Sequence, residues 1–108
     1  TRFSVVEHDG VIVGCAALYP FSTDKSAELA CLAVMPDFRR SGYGEQLCSH
    51  IEARAKQLKL KRLFVLTTRT AHWFIERGFV ETGVDELPAA RRELYNLQRR
   101  SKVLVKSL

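Results

Sequence analysis

The sequence predicts an α+β domain with a mixed, mainly antiparallel sheet flanked by helices. Residues 3–7 and 11–19 are two apolar strand patterns, and the Asp9-Gly10 pair between them is typical of a β-hairpin turn. Residues 27–34 form a third, almost continuously apolar strand, and a helical pattern and another strand follow it. This order places two strands in parallel. A chain of 108 residues, 46% of them hydrophobic, is long enough for one such domain with one core.

Periodicity and turn residues define the remaining elements. Residues 20–26 predict a polar loop, and Pro36 ends the third strand. Apolar residues recur with a helical period from Tyr43 to Leu58, with polar residues on the opposite face. Further along we expect a buried strand at 63–66, a short helix at 70–77 ended by Gly78, a strand at 79–84, a helical turn beginning at Leu87-Pro88 and an edge strand at 103–105.

Charge and cysteine content limit the possible partners and compartment. The net charge is +5, and residues 91–106 carry six basic residues against one acidic residue, a distribution that attracts anions. The three cysteines have no metal-ligand spacing, which predicts buried free thiols in a reducing compartment, the cytoplasm. No segment has the length of a membrane span or the pattern of a signal peptide. Because the chain opens at Thr1 on a strand pattern, we expect it to be a fragment of a longer protein that lacks that protein's upstream elements.

The segment from Arg39 to Gly44, Arg-Arg-Ser-Gly-Tyr-Gly, follows the third strand and runs into the long helix. Glycines allow a sharp turn and close approach to a ligand, and the first N–H groups and the dipole of the helix favour an anion. Arginines add charge-assisted contacts to phosphate. The segment is neither a Walker A loop nor a dinucleotide fingerprint, since it lacks the lysine of the first and the third glycine of the second. An ordinary basic turn remains the alternative for the motif considered alone.

In this context the chain resembles the GNAT acetyltransferase superfamily, whose acetyl-CoA loop reads Gln/Arg-x-x-Gly-x-Gly/Ala between a central strand and a helix. Arg39, Gly42 and Gly44 match that pattern. The resemblance implies that the loop backbone holds the pyrophosphate of CoA and that the preceding strand binds the pantetheine arm. The implied cofactor-binding residues are Cys31, Leu32, Ala33, Val34, Arg39, Arg40, Ser41, Gly42, Tyr43, Gly44 and Glu45.

A closer resemblance, over nearly the whole chain, is to the N-acetylglutamate synthase family of bacterial arginine biosynthesis. It is carried by residues 28–34, 63–69, 72–74, 76–79, 87–88 and 95–104. It implies transfer of the acetyl group of acetyl-CoA to the α-amino group of L-glutamate, without a metal. It also implies a homo-oligomer, with an upstream amino-acid-kinase-like domain that binds arginine in related synthases.

Glu28 is the single carboxylate of the third strand, so its charge must be paired, hydrated or used. The amine must lose a proton before it attacks a thioester, and Glu28 is suited to accept that proton directly or through a water. A strand-end salt bridge is the alternative.

The resemblance places the acceptor between the Glu28 strand and the strand that ends at Thr67. Thr67 is expected to hydrogen-bond the substrate, and His72, at the start of the short helix, to protonate the departing thiolate. Many members of the superfamily use a tyrosine as that acid, and the matching helix here has no tyrosine. The alternative for His72 is a surface residue without a catalytic role. Arg91 and Arg100 suit the two carboxylates of glutamate, with Arg69 and Arg99 as secondary candidates and a solvated basic tail as the alternative. Catalytic candidates are therefore Glu28, Thr67 and His72, and substrate-binding candidates are Cys31, Thr67, Arg91 and Arg100.

Direct transfer is favoured over an acyl-cysteine route, because nothing beside Cys31 in the sequence would activate its thiol. A backbone N–H near Cys31 or Leu32 is expected to stabilise the oxyanion. Two other functions stay open. One is acetyl transfer to a different amine, either another amino acid or a protein N-terminus. The other is a non-catalytic basic module that binds CoA or nucleic acid, although no stacking platform or nucleic-acid motif is present.

Overall fold

The computed structural model describes residues 3–92 and 101–108. The strands are β1 (Phe3–His8), β2 (Val11–Phe21), β3 (Ser26–Val34), β4 (Arg62–Thr67), β5 (Val80–Thr82) and β6 (Lys102–Ser107). The helices are α1 (Tyr43–Gln57), α2 (Ala71–Ile75) and α3 (Ala89–Arg92), and 3-10 turns occur at Ser22–Asp24, Pro36–Phe38 and Val84–Glu86.

The described strands form one six-stranded sheet in the order β1-β2-β3-β4-β6-β5. Strands β3 and β4 run parallel, and every other described pair is antiparallel. The α+β prediction with a mixed, mainly antiparallel sheet is confirmed. The parallel pair arises because α1 connects β3 to β4 and returns the chain to the same end of the sheet.

The prediction of an edge strand at 103–105 is wrong, because β6 lies between β4 and β5. Val103 and Leu104 are consecutive and both buried, at 2% and 0% exposure, so β6 is covered on both faces. A strand with covered faces and two neighbours is expected in the sheet interior. Among the described strands, β1 and β5 are the edges.

Strand β2 runs further than predicted, through Pro20 and Phe21, which had the composition of a loop. Pro20 lies opposite Ala27 of β3, whereas the described pairs with β1 end at Phe3–Ala17. Proline lacks an N–H and is tolerated where a strand has a neighbour on one side. The extension therefore occurs where it removes no described pair with β1.

The two sheet faces hold different apolar clusters. On one face Leu47, Ile51 and Ala55 of α1 are buried against residues of β2 and β3, as the helical period predicts. Leu58 follows the helix and is 54% exposed, so the predicted helix is one residue too long. On the other face Phe64, Leu87 and Val103 form a smaller cluster.

The cysteines are free, but they are not all buried as predicted. Cys48 lies in the core, and burial raises the pKa of its thiol to about 11, with the Glu52 carboxylate acting in the same direction. Cys15 is half-buried and Cys31 is exposed. Cys31 is exposed because the sheet opens at this residue, which the apolar sequence around it does not indicate.

Candidate acetyl-CoA and acceptor site

Strands β3 and β4 stay paired for only three described residue pairs. These are Ser26–Arg62, Ala27–Leu63 and Glu28–Phe64. Beyond them β3 contains a β-bulge: Ala17 of β2 lies opposite Ala30, but Cys15 lies opposite Ala33, so β3 has one extra residue. Cys31 within this bulge has a φ of 56°. Because bulges bend a strand, β3 turns away from β4 and the two strands separate.

The gap between the separated strands is a cleft of about 420 Å³. Its walls are residues 29–34 of β3 and 65–67 of β4, with Thr70, Trp73 and Phe74 from the α2 region and Arg39 and Gly44 from the start of α1. Within the described chain, residues 29–34 of β3 have strand pairs with β2 alone. The edge of β3 toward β4 therefore presents backbone hydrogen-bonding groups to whatever occupies the cleft.

The loop before α1 closes one end of this cleft. Gly42 precedes the helix with a φ of 82°, a left-handed conformation that glycine adopts without the steric cost of a side chain. The Arg39 Nε donates to the carbonyl of Val34 at 3.2 Å and joins the loop to the end of β3. The first N–H groups of α1 have no acceptor within the helix, so this end of the cleft has the character of an anion site.

Two aromatic contacts fix the beginning of α1. A Cβ added to Gly44 would lie 3.2 Å from Cζ2 of Trp73, so the helix approaches α2 too closely for most side chains. The Tyr43 hydroxyl lies 2.8 Å from Nδ1 of His8 in β1. Of the predicted loop residues 39–45, Arg39 and Gly44 line the cleft and the other five do not.

Glu28 and Arg91 meet where β3 and β4 begin to separate. The Arg91 Nε donates to Oε1 of Glu28 at 2.7 Å, and the exposed fractions of the two side chains are 19% and 13%. Since side chains alternate along a strand, Glu28 points to the face opposite Leu29, which lines the cleft. Neither Glu28 nor Arg91 lines the cleft, and both lie on the sheet face that carries Phe64. The salt bridge considered as the alternative for Glu28 is therefore present.

Threonine hydroxyls converge where β4 ends. The Thr67 Oγ1 accepts the backbone N–H of Thr70 at 3.0 Å and that of Arg69 at 3.3 Å, and it lies 2.7 Å from the Thr70 Oγ1. Both hydroxyl-bearing residues line the cleft. Because the Thr67 oxygen accepts twice, its own hydrogen is directed to the Thr70 Oγ1, and the Thr70 hydroxyl keeps a hydrogen to donate.

His72 lies away from these groups. Its side chain is 87% exposed, its Nε2 is 3.4 Å from a Glu76 carboxylate oxygen one turn along, and it does not line the cleft. The role of His72 as general acid therefore stays a prediction. Arg69 is exposed, and Arg99 and Arg100 lie outside the described residues.

The residues that line the cleft without having been predicted from sequence as site residues include Thr70 and Trp73. The Thr-x-x-Thr spacing before a short helix was the available signal for Thr70, because such hydroxyls bond the first turn. Trp73 is only half-buried and lines the cleft, whereas Phe74 and Phe79 are buried.

Across residues 3–92 and 101–108, no group of three or more His, Cys, Asp or Glu side chains is arranged to hold a metal ion. No described helix has both the length and the apolar character that crossing a membrane requires.

This chain is similar in sequence to known acetyltransferases. The model of the acetyltransferase (GNAT) family matches residues 1–79. An amino-acid acetyltransferase of Ralstonia nicotianae is 62% identical over 107 residues, which are 99% of this chain and 24% of that protein. This chain thus spans about a quarter of the length of the curated relatives it matches.

Two solved structures are also similar to this chain. The N-acetylglutamate synthase of Neisseria gonorrhoeae, complexed with coenzyme A and N-acetyl-glutamate, superposes with a TM-score of 0.94 at 47% identity, over 99% of this chain and 26% of that one. The same synthase complexed with coenzyme A and L-arginine gives a TM-score of 0.91 at 48% identity, over 99% of this chain and 24% of that one.

Proposed function

Since the chain belongs to the acetyltransferase (GNAT) family, we propose that it transfers the acetyl group of acetyl-CoA to the α-amino group of L-glutamate. The products are N-acetylglutamate and CoA, the first step of arginine biosynthesis. One observation supports this most directly: the cleft opens where β3 leaves β4 and has an anion site at one end, and Glu28 and Arg91 pair where the two strands begin to separate, on the opposite face of the sheet. The similarity to a synthase solved with CoA and N-acetyl-glutamate supports the choice of acceptor.

The cleft suits the CoA portion of the cosubstrate. The loop 39–45 offers helix N–H groups and two arginines for the pyrophosphate, and Gly44 leaves room that a Cβ would occupy. The edge of β3 at 31–34 offers its backbone to the pantetheine amides. Acetyl-CoA brings an activated acetyl group, and its carbon–sulfur bond is exchanged for a carbon–nitrogen bond to the amine.

Glu28 is the proposed base and Arg91 a proposed carboxylate ligand of glutamate. In the structure they bind each other, so the two roles compete. We propose that a substrate carboxylate takes over Arg91 and leaves Glu28 to accept the amine proton. The ammonium group of the substrate also gives Glu28 a replacement positive partner, which keeps its part-buried charge compensated.

Thr67 is the group we propose beside the departing sulfur. It lines the cleft and its hydroxyl is hydrogen-bonded to that of Thr70, whereas His72 is exposed and lies outside the cleft. A backbone N–H near Cys31 or Leu32, on the edge of β3 toward the cleft, would polarise the acetyl carbonyl. Arg100 remains a proposed second ligand for glutamate.

The test is release of thiol from acetyl-CoA in the presence of a panel of amino acids and peptides. We expect release that depends on L-glutamate. Equal release with other amines would instead support a broader N-acetyltransferase, the second candidate. CoA-independent, salt-sensitive binding to DNA without thiol release would support a basic binding module, which the charge of +5 leaves open.

We further propose a cytoplasmic protein that acts as a homo-oligomer alongside an amino-acid-kinase-like domain. Three free thiols suit a reducing compartment, and the relatives are much longer than this chain. The solved synthase with L-arginine supports a link to arginine. Light scattering on the full-length gene product tests the assembly, and a monomeric mass would contradict it.

A further inference from the structure

Arg77 follows α2, and its guanidinium group contacts a backbone carbonyl, a carboxylate and an aromatic ring. One terminal nitrogen donates to the Trp73 carbonyl at 2.8 Å, and the other donates to Oε1 of Glu45 at 2.5 Å. Its guanidinium carbon lies 3.8 Å from the centroid of the Trp73 ring. The side chain is 25% exposed, so this cation is largely removed from water.

These contacts join the two elements that bound the anion end of the cleft. Glu45 lies in the first turn of α1, and Trp73 belongs to α2 and lines the cleft. The same tryptophan ring is the group that Gly44 approaches most closely. Arg77 therefore fixes the first turn of α1 against Trp73 through an ion pair, a backbone hydrogen bond and a cation–π contact.

The ion pair also has an electrostatic consequence for the helix terminus. A carboxylate in the first turn is attracted by the helix dipole, and it would repel a phosphate that approaches the same N–H groups. By binding Glu45, Arg77 compensates that negative charge. The positive field of the terminus and of Arg39 then remains available to an anionic ligand.

We propose that Arg77 is a positioning residue for CoA, acting through Glu45 and Trp73 and not by touching the reacting atoms. This inference rests on the proposed binding of CoA at the loop 39–45. It goes beyond the reaction itself, in which Arg77 has no part. It predicts that loss of Arg77 weakens CoA binding while leaving the acceptor side of the site intact.

Calorimetric titration with CoA tests the proposal on the wild type, Arg77→Gln, Arg77→Lys and Arg62→Gln. Arg62 is the matched control, because it forms an exposed ion pair with Glu86 at 3.7 Å, away from the cleft. We expect CoA affinity to fall roughly tenfold or more in Arg77→Gln, to be partly retained in Arg77→Lys, and to be unchanged in Arg62→Gln. Emission from Trp73, the single tryptophan of the chain, should report the altered ring environment in Arg77→Gln.

The Glu45→Gln substitution separates the electrostatic effect from a general loss of structure. If Arg77 compensates Glu45, the Arg77→Gln loss is smaller in a Glu45→Gln background than in the wild type. The KM for acetyl-CoA should rise in Arg77→Gln while the KM for glutamate stays the same. Should Arg77→Gln fail to fold, Arg77→Lys and the double variant carry the same comparison.

Wild-type affinity in a folded Arg77→Gln, or an equal loss in Arg62→Gln, would overturn the positioning role and leave the proposed function standing. Wild-type protein that does not bind CoA would overturn both. An equal rise in the two KM values would also overturn it, because that result indicates a loosened fold and not an effect on one end of the cleft.

Discussion

Glu28 and Arg91 suit different tasks when each is considered in the sequence, and the structure brings them within 2.7 Å. The importance of Glu28 is visible from sequence, since it is the one charge in an apolar strand. The pairing is not visible, because 63 residues separate the partners and Arg91 is one of six basic residues in its segment. Residue type thus predicts a candidate group, while its partner depends on tertiary structure.

The first prediction concerns Glu28→Gln, which keeps the shape and a hydrogen-bond acceptor for Arg91 but removes the base. We expect kcat to fall by roughly 100-fold or more, in the range typical of general base catalysis. The loss should be largest at low pH, where little of the amine is already deprotonated. Steady-state rates from pH 6.5 to 9 measure this.

Glu86→Gln is the matched control for that experiment, since Glu86 also pairs with an arginine but is 54% exposed and lies outside the cleft. Its rate should equal the wild-type rate. Full activity of Glu28→Gln across the pH range would leave Glu28 with a structural role in the ion pair alone.

At the scale of the elements, the cleft results from a backbone irregularity and not from any one side chain. The sequence predicts β3, α1 and β4 close to their observed bounds, because apolar periodicity and proline define them. It does not predict the bulge at Cys31, because a nearly continuous apolar strand carries no mark of an extra residue. The site was therefore predictable in its components but not in the opening that unites them.

The second prediction concerns Gly42, whose φ of 82° begins α1. No atom lies within 4 Å of a Cβ built at this position, so Gly42→Ala tests backbone conformation without a steric clash. We expect a loss of about 1 kcal/mol of unfolding free energy, the usual cost of a left-handed alanine. We also expect a roughly tenfold higher KM for acetyl-CoA, because the loop relaxes away from its anion-binding form.

Gly83→Ala is the control for the loop, since Gly83 is also unobstructed but has a φ of −98° that alanine adopts readily. Its stability should equal or slightly exceed that of the wild type, because alanine restricts the unfolded chain. Chemical denaturation and acetyl-CoA kinetics compare the two variants. Equal effects of both substitutions would show that the conformation of Gly42 does not matter.

At the scale of the whole molecule, the sheet order separates what local sequence can predict from what it cannot. The alternation of strands and helices predicts the α+β class, yet the insertion of β6 between β4 and β5 joins segments about 40 residues apart. The properties of buried core residues likewise depend on contacts between segments that are distant in sequence. The pattern of α1 predicts that Cys48 is buried, and the surrounding packing decides how far its ionisation is suppressed.

The third prediction follows from the pKa of Cys48, which burial raises from 9.0 to about 11. Below pH 9 the thiol is protonated in both the folded and the unfolded chain, so its contribution to stability is constant. Between pH 9 and about 11 the unfolded chain loses the proton first and is favoured. The free energy of unfolding should therefore fall across this range, by at most about 3 kcal/mol from this group.

Lysine and tyrosine side chains titrate in the same range, so the measurement compares the wild type with Cys48→Ala. The alanine variant is less stable at every pH because of the cavity it leaves, but it lacks this thiol and should lose less stability between pH 9 and 11. The two curves of unfolding free energy against pH should converge as pH rises. Parallel curves would mean that Cys48 ionises equally in the folded and unfolded chains, and that the core around α1 admits water.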